Sequence, residues 1–187
     1  LIFLIGILLS YLSTIGVETN RFNNQISNKI QQIDEKLEIE LKKIKLVIDP
    51  FSLKINIKTI GPKLKKQNKT IEIENVITQI SIKSLISKEF SIENLEISTK
   101  PLEIKNLISF LRSFQNSPEL FILEKAINKG YFIADIKLEF NSKGEIKDNF
   151  EIDGLIKDAK LSFFNEYNIQ NLDLIFENKK NYLSIKD

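Results

Sequence analysis

Several acidic residues in this sequence could supply the carboxylate pair that acid–base chemistry needs. Two carboxylates at a fixed separation can act as general acid and as base or nucleophile, as in glycoside hydrolysis. The alternation of apolar and polar residues around them, however, predicts that most lie on the solvent face of a sheet, where they only solvate the surface. The acids in question are Asp135, Glu139, Asp148, Glu151, Asp153 and Asp158.

Missing residue types narrow the chemistry further. The 187 residues include no His and no Cys, which removes the commonest general base and the commonest zinc ligands. The sequence has no phosphate-binding glycine loop, no nucleophile elbow and no HExxH motif, and its six glycines are scattered singly. We therefore predict that the protein is not an enzyme and has no catalytic residues, cofactor or metal site.

The composition is that of a folded domain, with 42% hydrophobic and 28% charged residues. A net charge of +2 is too small to indicate nucleic acid as a partner. Ile, Lys and Asn are abundant, as in proteins of AT-rich genomes, so lysine-rich stretches carry little weight. Residues 63–69 are one such stretch, which we interpret as a solvated turn, with contact to anionic headgroups or phosphates as the alternative.

An uncharged apolar segment opens the chain and predicts a transmembrane anchor over residues 1–19. The run from Leu1 to Val17 is at the low end for a membrane-spanning helix. Because the chain begins with Leu rather than Met, we expect the span to begin earlier. A signal peptide and a buried core helix are the alternatives. The proposed anchor residues are Leu1, Ile2, Phe3, Leu4, Ile5, Ile7, Leu8, Leu9, Tyr11, Leu12, Ile15 and Val17.

The large domain after the anchor predicts a location outside the cytoplasm, because large domains cross a membrane largely regardless of their lysines. We expect a single-pass inner-membrane protein with its β domain in the periplasm. Residues 20–36 predict a juxtamembrane amphipathic helix with one apolar stripe, which either packs on the following sheet or lies on the bilayer. The stripe consists of Ile26, Ile30, Ile33 and Leu37.

From residue 37 the apolar period changes from helical to two, which predicts a first β segment over residues 37–105. Its clearest strand is 51–58, where Phe51, Leu53, Ile55 and Ile57 alternate with polar residues after a turn at Asp49-Pro50. The other predicted strands are short, as in a meander. They are 37–41, 44–48, 71–74, 80–83, 90–93 and 95–98.

A helical hairpin is predicted over residues 106–130, covering part of the apolar face of the sheet. Asn106 is a candidate cap of the first helix. Ser117-Pro118-Glu119 is a strong start signal for the second helix, with a hydroxyl cap, Pro at the first helical position and an acid in the first turn. Gly130 is a fitting C-terminal stop.

The sheet is predicted to continue over residues 131–187, with a hairpin turn at 141–144 and a turn at 165–168. Alternation persists to Asp187, so we expect further strands beyond it. The predicted fold class is therefore mainly β with α: an N-terminal transmembrane helix, then an open, curved, antiparallel meandering sheet with a helical hairpin insertion.

The order of elements is an anchor, a short helix and then strands, followed later by a Gly-x-Ile-x-Asp-Ala-x-Leu-x-Phe segment. That order resembles the N-terminal part of the AsmA-like family. The segment is Gly154, Ile156, Asp158, Ala159, Leu161 and Phe163. The resemblance covers essentially the whole chain. It implies an inner-membrane-anchored periplasmic β-structure that carries phospholipid towards the outer membrane through an apolar groove, or that takes part in outer-membrane protein assembly.

A sheet with one apolar face is compatible with such a groove, because acyl chains can replace protein as the partner of that face. Membrane lipids are then the expected partners. The alternative is a structural factor for outer-membrane proteins, which contacts assembly proteins by strand addition. The candidate groove residues are Phe51, Leu53, Ile55, Ile57, Ile136, Leu138, Phe140, Phe163, Leu172, Leu174 and Phe176.

Overall fold

A computed structural model of the chain describes residues 2–20, 23–82, 92–141, 147, 149–163 and 167–186. These residues form four helices: α1 (Ile2–Thr14), α2 (Asn23–Ile33), α3 (Ile104–Arg112) and α4 (Pro118–Ala126). The strands are β1 (Val17–Thr19), β2 (Leu37–Glu40), β3 (Ile44–Asp49), β4 (Lys54–Ile60), β5 (Lys63–Lys66), β6 (Lys69–Ser81), β7 (Ile92–Thr99), β8 (Leu102–Glu103), β9 (Ile127–Glu139), β10 (Glu151–Phe163), β11 (Tyr167–Lys179) and β12 (Tyr182–Lys186).

The strands form one 12-stranded sheet in which every pair is antiparallel. Its main path is β1-β3-β4-β6-β7-β9-β10-β11-β12, β2 and β5 extend it beside β6, and β8 pairs with β9. Most neighbours are consecutive along the chain, as in a meander. The prediction of a mainly β protein with an open antiparallel sheet is confirmed.

The predicted transmembrane helix over residues 1–19 is not found. Helix α1 has 13 residues, so it is about 20 Å long, against about 30 Å for the hydrocarbon core of a bilayer. Among the described residues, no helix combines the length and apolarity needed to cross a membrane. Of the predicted anchor residues, Leu1 lies outside the described residues, and only the backbone of Ile2 and Ile5 is described.

Gly16 is the physical reason why α1 ends at Thr14. Its backbone has φ +74°, a left-handed conformation that ends helices, and its N–H donates to Tyr11 O at 3.1 Å. A side chain here would meet Leu46 O at 2.3 Å. Val17 then begins β1, which pairs with β3, so this predicted anchor residue belongs to the sheet.

Helix α2 packs on the sheet, which is one of the two alternatives given for the amphipathic segment. Ile26 contacts a buried cluster of Ile44, Ile57 and Ile80. Leu37, the last residue of the predicted stripe, is buried but begins β2 instead of continuing the helix.

The turn between β3 and β4 lies further along the chain than predicted, and this removes residues 51–53, two of them apolar, from the expected strand. Asp49 Oδ1 accepts hydrogen bonds from the N–H groups of Phe51 and Ser52, at 3.0 and 3.2 Å, which closes a turn. Leu53 has φ +52°, and the strand starts only at Lys54. Phe51 is 99% exposed and Leu53 is also exposed, so neither lines a groove.

Residues 63–69, expected to be a loop, form β5, a turn at Gln67 and Asn68, and the start of β6. Cross-strand ion pairs favour the pairing of β5 with both of its neighbours: Lys63 Nζ lies 2.7 Å from Glu72 of β6, directly opposite it, and Lys65 Nζ lies 2.7 Å from Glu40 of β2. These paired lysines argue against a phosphate or headgroup site here.

The helical hairpin is present as α3 and α4, with boundaries that differ from the predicted 106–130. Ser117 caps α4 as expected, accepting a hydrogen bond from Leu120 N at 3.3 Å, and Pro118 occupies the first turn. The cap prediction for Asn106 is wrong, because α3 begins at Ile104, and Asn106 donates a side-chain hydrogen bond to Glu103 instead.

Gly130 does not end a helix, because α4 stops at Ala126 and Gly130 lies inside β9. Its φ is +141°, and a Cβ at this position would lie 3.0 Å from both Ala159 Cα and Ile104 Cδ1. The glycine is therefore required where α3 crosses the sheet at close range.

Strands β9, β10 and β11 share an irregularity at one level. Phe132, Ile156 and Leu174 form one row of paired residues, Ile127, Leu161 and Ile169 form another, and the pair Ala159–Leu172 lies between them. In each strand the two rows lie five positions apart, and in a regular strand residues at that separation would point to opposite faces. One extra residue in each strand therefore keeps both rows on the same face. Asp158 (φ +52°) and Asn171 (φ +55°) mark the extra residues of β10 and β11.

Several sequence predictions fall on residues outside those described. They concern Phe90 and Ser91 of a predicted strand, the 142–144 part of a hairpin turn and the 165–166 part of another. The strand predicted at 71–74 and residues 80 and 81 of the strand predicted at 80–83 belong to the single strand β6, which ends at Ser81, while Lys83 lies outside the described residues.

Candidate functional site

One face of the sheet is apolar across its width. Residues directly opposite each other in antiparallel strands share a face, so the register defines rows of side chains. A first row is Leu46, Ile57, Thr78, Leu95 and Leu138. A second is Val76, Ile97, Ile136 and Ile152. A third is Ala134, Gly154, Phe176 and Ile185.

The opposite face is mainly polar. One row across it is Asn56, Gln79, Asn94 and Glu139, and another is Lys58, Ile77, Glu96, Lys137, Glu151 and Lys179. The sheet therefore has the two-sided character that the sequence alternation predicts.

Helices cover the apolar face at two places. Helix α2 lies on the cluster that includes Ile44 and Ile80. Helix α3 buries Ile104 and Ile108 against Ile127 and Ala159 of the sheet, and Leu120 of α4 packs against the same cluster. Away from these two clusters, apolar side chains of the face are only half-buried; they include Leu95, Ile97, Ile136, Leu138 and Ile152.

The apolar face stays exposed at β12. Ile185 lies directly opposite Phe176 and is 60% exposed, and Leu183, opposite Asn178, is 63% exposed. Phe176 stacks on Phe132 with ring centroids 5.9 Å apart, and its ring lies over Gly154, where a Cβ would come within 2.2 Å of it. A flat aromatic surface thus leads from the covered part of the face to its exposed margin.

The structure brings most of the candidate groove residues to this face. Ile55 and Ile57 belong to the cluster under α2, and Leu172 packs against the cluster under α3. Phe140 follows β9 and donates its N–H to Glu93 O at 2.9 Å. The remaining candidates on paired strand positions of the face are Ile136, Leu138, Phe163, Leu174 and Phe176, all half-buried.

A buried lysine joins the helices that cover this face. Lys66 lies opposite Leu37 in the register and is only 4% exposed. Its ammonium group forms an ion pair with Asp34, just beyond α2, and lies 3.7 Å from the ring centroid of Phe114, just beyond α3. This contact ties α2 to the helical hairpin across the sheet. No local sequence pattern predicts this contact, because the residues that it joins lie far apart along the chain.

Carboxylates beside lysines make the fold sensitive to acid. The hydrogen bond from Lys66 lowers the pKa of Asp34, and those from Lys65 and Lys63 lower the pKa of Glu40 and Glu72 respectively. A carboxyl whose pKa is lower in the folded state stabilises the fold above its unfolded pKa, and loses that contribution as the pH falls through the folded value.

We therefore expect the free energy of unfolding to decline as the pH falls below about 4, the ordinary carboxyl range. Urea unfolding followed by circular dichroism from pH 6 to pH 2 checks this. Asp34→Asn should reduce the slope of the decline, and an unchanged slope would contradict the role of the Lys66 ion pair.

The carboxylates considered for catalysis lie mostly on the polar face. Asp135 and Asp153 are directly opposite each other, and both are exposed. Glu139 and Glu151 form ion pairs with lysines, and the N–H of Asp158 donates to Asp173 Oδ1 at 2.7 Å. Asp148 lies outside the described residues. In the part of the chain that the structure describes, no group of three or more acidic side chains is placed to hold a metal ion.

Helix α1 is the second apolar surface of the molecule. It carries no charged residue, and most of its described side chains point into solvent, so the buried core helix considered from the sequence is not what the structure shows. The exposed side chains are Phe3, Leu4, Ile7, Leu8, Leu9 and Tyr11, and Ile15 follows just after the helix, while Leu12 is half-buried.

Comparisons of the chain with models of protein families, with curated proteins and with solved structures gave no match. The function is therefore argued from the geometry of the two apolar surfaces.

Proposed function

We propose that this protein is a membrane-attached, AsmA-like envelope protein whose apolar sheet face binds the acyl chains of phospholipids during their transport to the outer membrane or its upkeep. The observation that carries this proposal is the continuation of the apolar face past both covering helices to exposed Leu183 and Ile185.

The chemistry of the face suits an acyl chain. Its rows of Ile, Leu, Val and Phe side chains offer dispersion contacts without directional bonds. Each buried methylene contributes about 0.8 kcal/mol, so a chain is held along its length and can still slide. Most of the candidate groove residues lie on this face, while Phe51 and Leu53 take no part.

Helix α1 supplies the proposed attachment. An uncharged helix with exposed Phe, Leu and Ile side chains is stabilised by transfer into an apolar phase, and a bilayer provides that phase. We propose that α1 enters the inner membrane and that the sheet lies on its periplasmic side, so that the groove begins close to the lipid supply.

A matched pair of variants tests the groove. Ile185 lies on the apolar face and Ile175 on the polar face of the neighbouring strand, with exposures of 60% and 53%. Ile185→Glu should lower the amount of phospholipid that co-purifies with the full chain at least about tenfold, because an isoleucine side chain contributes about 1.5–3 kcal/mol when buried by the ligand. Ile175→Glu should leave it unchanged. Mass spectrometry of lipids extracted from mildly solubilised protein measures the difference.

The same chain tests the alternative of an assembly factor. A photoreactive residue at Phe176 should give lipid adducts, whereas one at Phe51, on the exposed β3–β4 turn, should give none. Protein adducts at Phe176, or equal loss of lipid in Ile175→Glu and Ile185→Glu, would contradict lipid binding by the face.

A further inference from the structure

Helix α4 is apolar on both of its sides. Leu120 packs inward against the cluster under α3, and Ala126 is buried. The outward side carries Phe121, Ile122 and Leu123, and all three are exposed. A surface helix ordinarily turns charged or polar residues outward, so three consecutive bulky apolar residues indicate contact with a second apolar environment.

The end of α3 extends this surface. Leu111 and Phe114 are also exposed, and Phe114 packs edge-to-face on buried Phe110 with ring centroids 5.3 Å apart. We call the surface formed by Leu111, Phe114, Phe121, Ile122 and Leu123 the hairpin patch.

Two cations lie beside the Phe121 ring of the hairpin patch. Lys125 Nζ lies 5.7 Å, and the Arg112 guanidinium carbon 5.1 Å, from the ring centroid of Phe121. Arg112 is neutralised by Glu124. Lys125 is exposed, and within the described part of the chain it forms no ion pair. Aromatic and aliphatic side chains beside an unpaired lysine suit binding at the surface of an anionic bilayer.

We propose that the hairpin patch docks on the surface of an anionic phospholipid bilayer, with Phe121, Ile122 and Leu123 at the boundary between headgroups and acyl chains and Lys125 at the lipid phosphates. This rests on the proposed function, because attachment through α1 holds the patch at high effective concentration beside the membrane. A second copy of the chain fits less well, since a symmetric contact through this patch would bring like-charged lysines together.

The absence of Trp from the sequence provides a clean test, because a single introduced Trp then reports alone. Three single-Trp variants are compared: Ile122→Trp in the patch, Leu4→Trp in α1, and Ile175→Trp on the polar sheet face as a control. Each full-length chain is reconstituted into phosphatidylcholine–phosphatidylglycerol vesicles with brominated acyl chains. We expect blue-shifted, quenched emission for Ile122→Trp and Leu4→Trp, and solvent-exposed, unquenched emission for Ile175→Trp.

The lysine contribution is tested in the Ile122→Trp background. Lys125→Gln should lower the ratio of docked to undocked patch about fivefold, as expected for one lysine near an anionic surface. Lys157→Gln, on the polar face of the sheet, should have no effect. Raising the salt concentration should weaken docking in the parental protein more than in Lys125→Gln.

The failures of the two proposals are distinguishable. Quenching of Leu4→Trp without quenching of Ile122→Trp would overturn docking by the patch and leave membrane attachment intact. If neither is quenched, attachment through α1 fails as well. A blue shift of Ile122→Trp that grows with protein concentration without vesicles, and is insensitive to brominated lipid, would assign the patch to a second copy and overturn the proposal.

Discussion

Lys66→Glu is expected to lower the free energy of unfolding by about 3–5 kcal/mol, the usual cost of leaving a buried charge without its partner. The new carboxylate would lie among apolar residues of the sheet face and beside Asp34, with which Lys66 now forms its ion pair. It would also lose the contact with the ring of Phe114. Both α2 and the helical hairpin should loosen. Urea unfolding of the micelle-solubilised chain, followed by circular dichroism, measures the change.

Lys66→Met is the matched control, because it keeps the length of the side chain and removes the charge. Methionine packs well beside an aromatic ring, and the Asp34 side chain is 28% exposed, so water can hydrate it. We expect a smaller loss of unfolding free energy than in Lys66→Glu, because the buried charge itself is removed and only Asp34, which is partly hydrated, is left without its partner. Similar losses in both variants would show that the packing of Lys66, and not its charge, stabilises this contact.

Gly130→Val is expected to cost about 2–5 kcal/mol, from backbone strain and overpacking together. The backbone at Gly130 has φ +141°, and any Cβ would meet Ala159 and Ile104 at 3.0 Å. Because the Ala159 contact is to backbone, the helix rather than the strand has to move. Hydrogen exchange should therefore show weaker protection of the amides of α3 than in the parental protein.

Gly61→Val separates the two contributions. Gly61 also has positive φ, +63°, but a Cβ there meets nothing within 4 Å. In this variant the free energy of unfolding should fall only by the backbone strain, about 1–3 kcal/mol. The protection of α3 amides from hydrogen exchange should be unchanged. Equal destabilisation by Gly61→Val and Gly130→Val would contradict the close approach of α3 to β9.

The sheet was predictable from the sequence because its information is local. Alternation of period two survives in β3, β7, β9 and β11, and the register then places the apolar members of each strand on one face. The start of α4 was predictable for the same reason, since the cap residue Ser117 and Pro118 act within one turn of the helix.

What the sequence could not provide depends on contacts between distant residues. Phe51 and Leu53 continue a perfect alternation, but hydrogen bonds to Asp49 place them in a turn. Gly130 is suited to a helix end, and only the passage of Ile104 over the strand reveals its role. Lys66 was indistinguishable from its lysine neighbours until Asp34 and Phe114 were placed beside it.

The irregularity in β10 did leave a sequence signal. The apolar residues Ile152 and Ile156 have even numbers, whereas Ala159, Leu161 and Phe163 have odd ones, and Asp158 stands where the parity changes. Aspartate is one of the few non-glycine residues that adopts positive φ with ease. A parity change at an Asp or Asn inside a long strand is thus a usable sign of an extra residue.

The extra residues of β9, β10 and β11 compensate for one another, because each of the three strands has one and their apolar residues stay on the same face. Deleting Asp158 alone would turn Ala159, Leu161 and Phe163 out of phase with their partners, because one residue exchanges the two faces of a strand. Deleting one residue at the same level in all three strands would restore the phase. Insertions or deletions in this part of the protein should therefore be tolerated only when they occur in all three strands together. Related sequences should gain or lose these residues as a group.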